Sequence, residues 1–125
     1  MVENGPAPKP KCSVLIVEDD RMTRLALTRL LAGRGHAVCP AGTVAEALAQ
    51  LDGQACAILD LNLPDGDGTQ ILRGIRDQGR SIRCAVVTGS SDGQLIRDAQ
   101  QCGAELILRK PLDLPALLAW LDQMA

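Results

Sequence analysis

Four apolar runs of the sequence are each followed by residues that could do chemistry. These residues are Glu18, Asp19 and Asp20 after the first run, Asp60 after the second, Thr88 after the third and Lys110 after the fourth. Carboxylates held close together repel one another, which raises their pKa unless a cation joins them. An all-oxygen site with several carboxylates suits a hard divalent cation, Mg²⁺ above all, with Mn²⁺ as a substitute.

The lysine and the threonine supply what a phosphoryl group needs, a counter-charge and a hydrogen-bond donor. An aspartate beside the metal can itself be the nucleophile and form an aspartyl phosphate. It needs no general base because it is already ionised, and the only histidine of the chain is His36. Plainer interpretations also exist: the first acids could complement a helix N-terminus, Asp60 could cap a turn, Thr88 could bond its own loop, and Lys110 could be a solvated lysine.

The apolar runs have the length and composition of strands buried on both faces of a parallel sheet. They cover residues 14–17, 56–59, 84–87 and 106–108, and residues 36–39 form a less apolar run typical of an edge strand. Between the runs, apolar residues at spacing i, i+3, i+4 and i+7 predict amphipathic helices. Five strand–helix units in alternation predict an α/β domain with helices covering a parallel sheet. The carboxyl ends of its strands meet at one edge, where the reactive residues should come together.

Helix-capping signals agree with this alternation. Thr43 with Glu46, and Ser91 with Gln94, fit capping boxes at the starts of two helices. Asp113 is placed to cap the last helix. Glycines follow the ends of the other helical segments, where a left-handed residue commonly terminates a helix. Local signals and apolar periodicity therefore predict the same order of elements.

Length and composition are those of one globular domain. The chain has 125 residues, 46% of them apolar, and a net charge of −2, which gives no electrostatic reason to bind nucleic acid or a membrane surface. No apolar run approaches the roughly 20 residues that span a bilayer. The 5 cysteines are odd in number and never form C-x-x-C, which argues against disulfides and a zinc site. We expect a cytoplasmic protein with a flexible, proline-rich lead-in at residues 1–11 and one domain at residues 12–125.

The order and spacing of four motifs resemble those of the receiver domains of two-component response regulators, the CheY-like family. The motifs are VLIVEDD, LDLNLPDGDG, VVTGS and LRKPL, and the resemblance extends from Cys12 to about Met124. It implies a flavodoxin/CheY-like (βα)₅ fold with the strand order 2-1-3-4-5. It also implies a role in phosphorelay signalling, in which the domain catalyses only its own phosphorylation and dephosphorylation and is not an enzyme acting on other substrates.

The resemblance assigns the acidic residues to a phosphoacceptor site that requires Mg²⁺. Asp60 would accept the phosphoryl group from a sensor histidine kinase or a histidine phosphotransfer protein. Asp19 and Asp60 would bind the metal directly, the backbone carbonyl of Asn62 would supply another ligand, and Glu18 would act through a metal-bound water. Asp20 would then be a neighbour that caps the first helix.

The residues at the remaining strand ends would bind the phosphoryl group and change conformation when it is attached. By the same resemblance, Thr88 would hydrogen-bond the group and Lys110 would pair with it, followed by Pro111 in a cis peptide bond. Gly89 would leave room for a phosphodonor or a phosphatase to approach. Ser90, like Asn62, stands at a position that tunes the lifetime of the phosphoryl group in the family.

Two positions depart from the family pattern and affect activation, not phosphorylation. Ile107 stands where receivers commonly carry a Tyr or Phe that swings inward on activation, and Leu112 stands where many have Phe. Phosphorylation is expected to alter a surface that binds a downstream effector protein or domain. The chain is expected to make no direct contact with nucleic acid or membrane, and to be a monomer or a weak homodimer.

Two other functions stay open. A degenerate receiver would use the same fold as a phosphorylation-independent protein-binding module, and the loss of a site residue would be its sign. Haloacid-dehalogenase-like phosphatases also use a strand-end aspartate, Mg²⁺, a threonine or serine and a lysine. However, Asp60-Leu61-Asn62 only half matches their paired aspartates, and 125 residues leave little room for the cap or larger scaffold that they need.

Overall fold

Five strands of one sheet alternate with five helices in the computed structural model, which describes residues 12–124. The strands are β1 (Ser13–Val17), β2 (Ala37–Ala41), β3 (Cys56–Leu59), β4 (Arg83–Thr88) and β5 (Ala104–Arg109). The helices are α1 (Arg21–Gly33), α2 (Val44–Leu48), α3 (Gly68–Asp77), α4 (Gly93–Gln101) and α5 (Leu114–Asp122). The lead-in predicted at residues 1–11 lies outside the described residues.

All five strands are parallel and follow the spatial order β2-β1-β3-β4-β5, as predicted. The register sets Val17 beside Leu59 and Thr88 beside Arg109, so the residues that follow β1, β3, β4 and β5 emerge at the same edge of the sheet. A short antiparallel ladder, Asn62–Leu63 with Gly66–Asp67, folds the loop between β3 and α3 back on itself.

The core has two layers because side chains alternate across the sheet. One layer includes Leu15 and Val17 with buried residues of α2, α3 and α4, and the other includes Val14 and Ile16 with buried residues of α1 and α5. Both faces of the inner strands are therefore covered, which explains their continuously apolar sequence. Packing on both sides fixes the strand ends that carry the reactive residues.

Side chains cap the starts of the helices, with two differences from the sequence-based expectation. Thr43 and Asp113 cap α2 and α5 as predicted, although the Glu46 carboxylate accepts from Gly42 N and not from the N-cap residue. The prediction of Ser91 as the cap of α4 is wrong. Asp92 takes that position, and its carboxylate accepts two hydrogen bonds, from the N–H groups at positions 94 and 95.

Candidate functional site

The ends of β1, β3 and β5 bring two acids and a lysine into direct contact. Lys110 Nζ lies 3.0 Å from Glu18 Oε1 and 3.0 Å from Asp60 Oδ2. Both carboxylates are nearly inaccessible, with 4% of Glu18 and 6% of Asp60 exposed. Two buried like charges repel each other, so the ammonium group between them provides the counter-charge that this arrangement requires.

Asp19 completes an acidic cluster at the same edge. One carboxylate oxygen from each of Glu18, Asp19 and Asp60 lies within 4.8 Å of the others. Asp19 is exposed while the other two acids are buried, so the cluster reaches from the interior to solvent. Oxygen atoms at this separation are compatible with one shared divalent cation. The three acids predicted from the strand ends therefore come together as a group.

The surroundings of Glu18 and Lys110 raise the pKa of both side chains above the ordinary values. Burial raises the pKa of Glu18 above its ordinary value, although hydrogen bonds from Lys110 and from Asp20 N oppose that change. Partial burial alone would lower the pKa of Lys110, but its hydrogen bonds to Asp60 and Glu18 outweigh this effect and raise it. Lys110 is consequently held as a charged group between the carboxylates.

The loop after β1 is fixed by hydrogen bonds on both sides of the acids. Glu18 N donates to Ala41 O at 3.0 Å, which continues the pairing of β1 with β2 beyond the sheet. Asp20 N donates to Glu18 Oε2 at 3.1 Å, and the Asp20 carboxylate caps α1 by accepting from Thr23. Asp20 thus acts as the predicted helix cap, and its side chain faces its own helix.

The loop after β3 holds Asp60 through its backbone and its side chain. Asp60 N donates to Val17 O at 2.9 Å, and Asn62 N donates to Asp60 Oδ1 at 3.1 Å. The carboxylate thus has a local partner on one oxygen and Lys110 on the other. Asp60 therefore caps a local turn, as in the plainer interpretation, and also belongs to the acidic cluster.

A close approach between α3 and the Asp60 backbone explains one glycine of the motif. A Cβ atom at Gly68 would lie 2.6 Å from Asp60 O and 3.1 Å from a methyl group of Leu61. Real Cβ atoms do not approach a carbonyl oxygen this closely, so a side chain here would displace the Asp60 backbone. Gly68 begins α3 and is buried, which fits a position where the helix packs directly on the loop.

Asp65 is a structural residue of the site that the sequence interpretation did not single out. Its two carboxylate oxygens accept from Val44 N at 2.8 Å and from Ala45 N at 3.0 Å. These hydrogen bonds lower the pKa of Asp65. They join the loop that carries Asp60 to the start of α2. Asp65 lies in a Pro-Asp-Gly segment typical of a turn, and that local pattern gave no sign of a partner some twenty residues earlier.

Thr88 is fully buried and lies next to Lys110 along the sheet edge, where Lys110 N donates to Thr88 O at 2.9 Å. Its hydroxyl accepts a hydrogen bond from Ser90 N at 3.0 Å, which is the bond to its own loop considered above. Gly89, between them, is exposed and has open space apart from ordinary contacts with the Lys110 side chain. The loop after β4 is thus close to the acidic cluster through Lys110.

The turn after β5 has the predicted geometry, with a cis peptide bond between Lys110 and Pro111. A cavity of about 210 Å³ lies beside this turn, and its lining includes Glu18, Asp60 and Lys110 together with Leu27 and Leu112. Ile107, which stands at the usual aromatic position, is half-buried against the layer of the core formed with α2, α3 and α4.

The family model of the response regulator receiver domain matches residues 14–122 of the chain. The chain belongs to this family. Receiver domains are signalling modules of two-component systems that interact with kinases and effector domains, and they bind Mg²⁺ at an acidic pocket. The cluster of Glu18, Asp19 and Asp60 is the corresponding acidic group here.

Two curated relatives with regulatory names are longer than this chain. The acid tolerance regulatory protein ActR of Rhizobium meliloti is 36% identical over 116 residues, which cover 91% of the chain and 60% of that protein. The swarming motility regulation protein RssB of Serratia marcescens is 35% identical over 109 residues, which cover 86% of the chain and 50% of that protein. The chain thus spans about half to three fifths of these relatives.

Solved structures have the same fold. A CheY-like receiver domain protein from Methanospirillum hungatei superposes with a TM-score of 0.80 at 26% identity, over 90% of this chain and 95% of that one. A response regulator from Burkholderia pseudomallei, solved with a phosphorylated aspartic acid, a calcium ion and citrate, has a TM-score of 0.78 at 28% identity, over 88% of this chain and 66% of that one. In residues 12–124, no helix combines the length and apolar character that crossing a membrane would take.

Proposed function

We propose that Asp60 accepts a phosphoryl group in a reaction that depends on Mg²⁺. The observation that carries this proposal is the position of the Asp60 carboxylate, 3.0 Å from Lys110 Nζ and within 4.8 Å of oxygens of Glu18 and Asp19. The Burkholderia pseudomallei regulator, solved with a phosphorylated aspartic acid and a calcium ion, supports the same chemistry on this fold.

The acids and Asn62 have the oxygen atoms that Mg²⁺ prefers. Asp19 and Asp60 would bind it directly, the Asn62 carbonyl would contribute another oxygen, and Glu18 would hold a metal-bound water. When bound, the ion supplies positive charge that offsets the repulsion between the carboxylates and the incoming phosphoryl oxygens. Burial of Asp60 then keeps bulk water away from the reacting carboxylate.

The transfer replaces a phosphorus–nitrogen bond of the donor with a phosphorus–oxygen bond to Asp60. A carboxylate oxygen of Asp60 forms the new bond while the phosphorus–nitrogen bond of a phosphohistidine breaks, and the electron pair of that bond leaves with the imidazole nitrogen. The phosphohistidine belongs to a sensor histidine kinase or a histidine phosphotransfer protein. Lys110 remains beside the phosphorylated Asp60 as the counter-charge for the phosphoryl oxygens.

Thr88 is suited to detect the new group. Its oxygen accepts the hydrogen bond from Ser90 N, which leaves the hydroxyl proton available to donate to a phosphoryl oxygen. Phosphorylation adds about −1.5 to −2 charges at this edge of the sheet. Movement of Thr88 toward those charges would draw its loop with it and change the neighbouring surface, to which a downstream effector protein or domain binds. Ile107 replaces the usual aromatic residue in this step.

The partners proposed for the domain are proteins. A net charge of −2 favours neither nucleic acid nor an anionic membrane surface. The cysteines at positions 12, 39, 56, 84 and 102 are free, which agrees with the reducing conditions of the cytoplasm, our proposed location. A monomer or a weak homodimer remains our prediction for the isolated domain.

Intact-mass spectrometry after incubation with acetyl phosphate tests the phosphoacceptor directly. With Mg²⁺ we expect the mass of one added phosphoryl group, which is absent after chelation of the metal and absent in Asp60→Asn. Asp77→Asn, a change of an exposed acid on α3, is the matched control and should be phosphorylated like the wild type. No mass gain and no response to beryllofluoride in NMR spectra would contradict the proposal and favour a phosphorylation-independent binding module.

A further inference from the structure

Arg24, in the first turns of α1, extends back over the loop that carries the acids. Its Nη1 atom donates to the backbone carbonyls of Glu18 at 2.7 Å and of Asp19 at 3.2 Å. These carbonyls belong to Glu18 and Asp19, two of the three residues whose side chains form the acidic cluster. The guanidinium group therefore contacts the peptide units that set the direction of both side chains.

The space for this guanidinium group is provided by the neighbouring loop. A Cβ atom at Gly42 would lie 3.0 Å from Arg24 Nη1, so the absence of a side chain there allows the arginine to pass. On the same side, Glu18 N donates to Ala41 O at 3.0 Å. Arg24 is half-buried as a result, whereas Arg29 on the same helix is exposed.

We propose that Arg24 is a positioning residue for the metal site, an inference that rests on the proposed function. Glu18 points into the protein and Asp19 faces solvent, so the two consecutive carboxylates converge on one cation only for a narrow range of backbone orientations. Hydrogen bonds from Arg24 to both carbonyls hold that orientation before the cation arrives. Residues that orient metal ligands in this way typically change metal affinity without contacting the metal.

The charge of Arg24 acts in the opposite sense, because a guanidinium group near the cluster repels a divalent cation. The two effects predict opposite results when the side chain is replaced by methionine, which is of similar length and has no charge or donor. If positioning dominates, Arg24→Met binds the cation more weakly than the wild type. If charge repulsion dominates, the same variant binds it more tightly.

Binding of Mn²⁺ alone, followed by electron paramagnetic resonance, measures the affinity without any phosphoryl transfer. We expect Arg24→Met to bind Mn²⁺ about tenfold more weakly than the wild type, as is typical when a residue that orients a metal ligand is removed. Arg29→Met removes the same charge from an exposed position of α1 and should bind Mn²⁺ like the wild type or slightly more tightly. Arg24→Lys keeps the charge and one flexible donor, and its affinity should lie between those of Arg24→Met and the wild type.

The dependence of the phosphorylation rate on Mg²⁺ distinguishes a loss of positioning by Arg24 from general damage to the fold. In Arg24→Met, acetyl phosphate should phosphorylate the protein slowly at low Mg²⁺ and at the wild-type rate at saturating Mg²⁺. Arg24→Met that binds Mn²⁺ as tightly as the wild type, or more tightly, would overturn the inference. If thermal unfolding reveals that this variant is unfolded, Arg24→Lys carries the test, and its affinity must then fall below those of the wild type and Arg29→Lys.

Failure of the inference and failure of the proposed function give different results. A wild-type protein that is phosphorylated, with an Arg24→Met variant that binds Mn²⁺ normally, would refute only the positioning role. A wild-type protein that binds Mn²⁺ but is never phosphorylated would refute the proposed function, and the comparison of Mn²⁺ affinities would still decide the role of Arg24.

Discussion

The loops after β1 and β3, called here the acid loops, and the loop after β4, called here the threonine loop because it follows Thr88, lie at the same edge of the sheet. Hydrogen bonds hold the two kinds of loop differently. The acid loops are joined to other elements: Glu18 N donates to Ala41 O, and Asp65 accepts from the start of α2. After β4, Ser90 N donates to Thr88 Oγ1 and Asp92 N donates to Ser90 Oγ, both within the same loop. Two hydrogen bonds link this segment to β5 and to the residue after it, one from Arg109 to Ser90 O and one from Lys110 N to Thr88 O.

This difference separates the elements that carry the proposed chemistry from the elements that carry the proposed response. Metal ligands that are already oriented bind a cation without first paying for reorganisation of the backbone. A loop held by its own hydrogen bonds and by few links to other elements can rearrange while breaking few contacts across the fold, so its local stability is expected to be lower. The arrangement therefore favours a fixed acidic pocket beside a threonine loop that can change conformation.

The comparison can be tested by adding one methyl group where the acid loop meets α3 and, in a second variant, one in the loop after β4. The first change should have the largest effect on stability. Gly68→Ala would set a Cβ atom 2.6 Å from Asp60 O, so the backbone of the acid loop must move. We expect the free energy of unfolding to fall by about 1–3 kcal/mol, typical of an overpacked site, and phosphorylation by acetyl phosphate to slow. Urea unfolding and intact-mass kinetics measure the two effects.

Gly89→Ala is the matched change in the threonine loop. Its Cβ atom would make only an ordinary contact, 3.7 Å from Lys110 Cδ, so the free energy of unfolding should change by less than about 0.5 kcal/mol. Equal destabilisation by the two substitutions would contradict the difference in rigidity between the loops.

The sequence alone predicted the acidic cluster because parallel strands impose its geometry. Once β1, β3 and β5 are recognised, Glu18, Asp60 and Lys110 must emerge at one edge, and the structure confirms their contact. The strand order came from the resemblance to receiver domains, since the alternation of strands and helices is compatible with more than one order. The long apolar runs thus determined both the fold class and the meeting point of the reactive side chains.

Contacts that depend on the conformation of a loop were not predictable in this way. Asp65 reaches the N–H groups of Val44 and Ala45, and Arg24 reaches carbonyls five and six residues earlier in the chain. Neither contact follows an apolar period or a capping motif. The cap of α4 was misassigned for a related reason: Ser91 and Asp92 are both good N-cap residues, and only the path of the loop decides between them.

Removal of the Thr88 hydroxyl tests whether the response can be separated from metal binding. Thr88→Val keeps the shape of the buried side chain but leaves Ser90 N without this acceptor, which should lower the free energy of unfolding by about 0.5–1.5 kcal/mol. We expect Mn²⁺ affinity to be unchanged, because the acid loops do not depend on this hydroxyl. Thr88→Ser keeps the hydroxyl and should retain most of the stability. A large loss of Mn²⁺ affinity in Thr88→Val would mean that the two kinds of loop are not independent.

The smallest expected effect is a change in the free energy of unfolding that depends on pH. It comes from the hydrogen bonds of Asp65 that join the loop after β3 to α2. Hydrogen bonds from Val44 N and Ala45 N lower the pKa of Asp65 in the folded protein, so the unfolded chain binds its proton first as the pH falls. The stabilisation is therefore complete above the ordinary aspartate pKa of about 4 and is lost as the pH falls through the lowered folded value. Urea unfolding should find the wild type more stable than Asp65→Asn at neutral pH, with a difference that shrinks below about pH 4. Asp77→Asn controls for the change in net charge, and a difference that persists unchanged into acid would show that the Asp65 carboxylate is not what holds α2 to this loop.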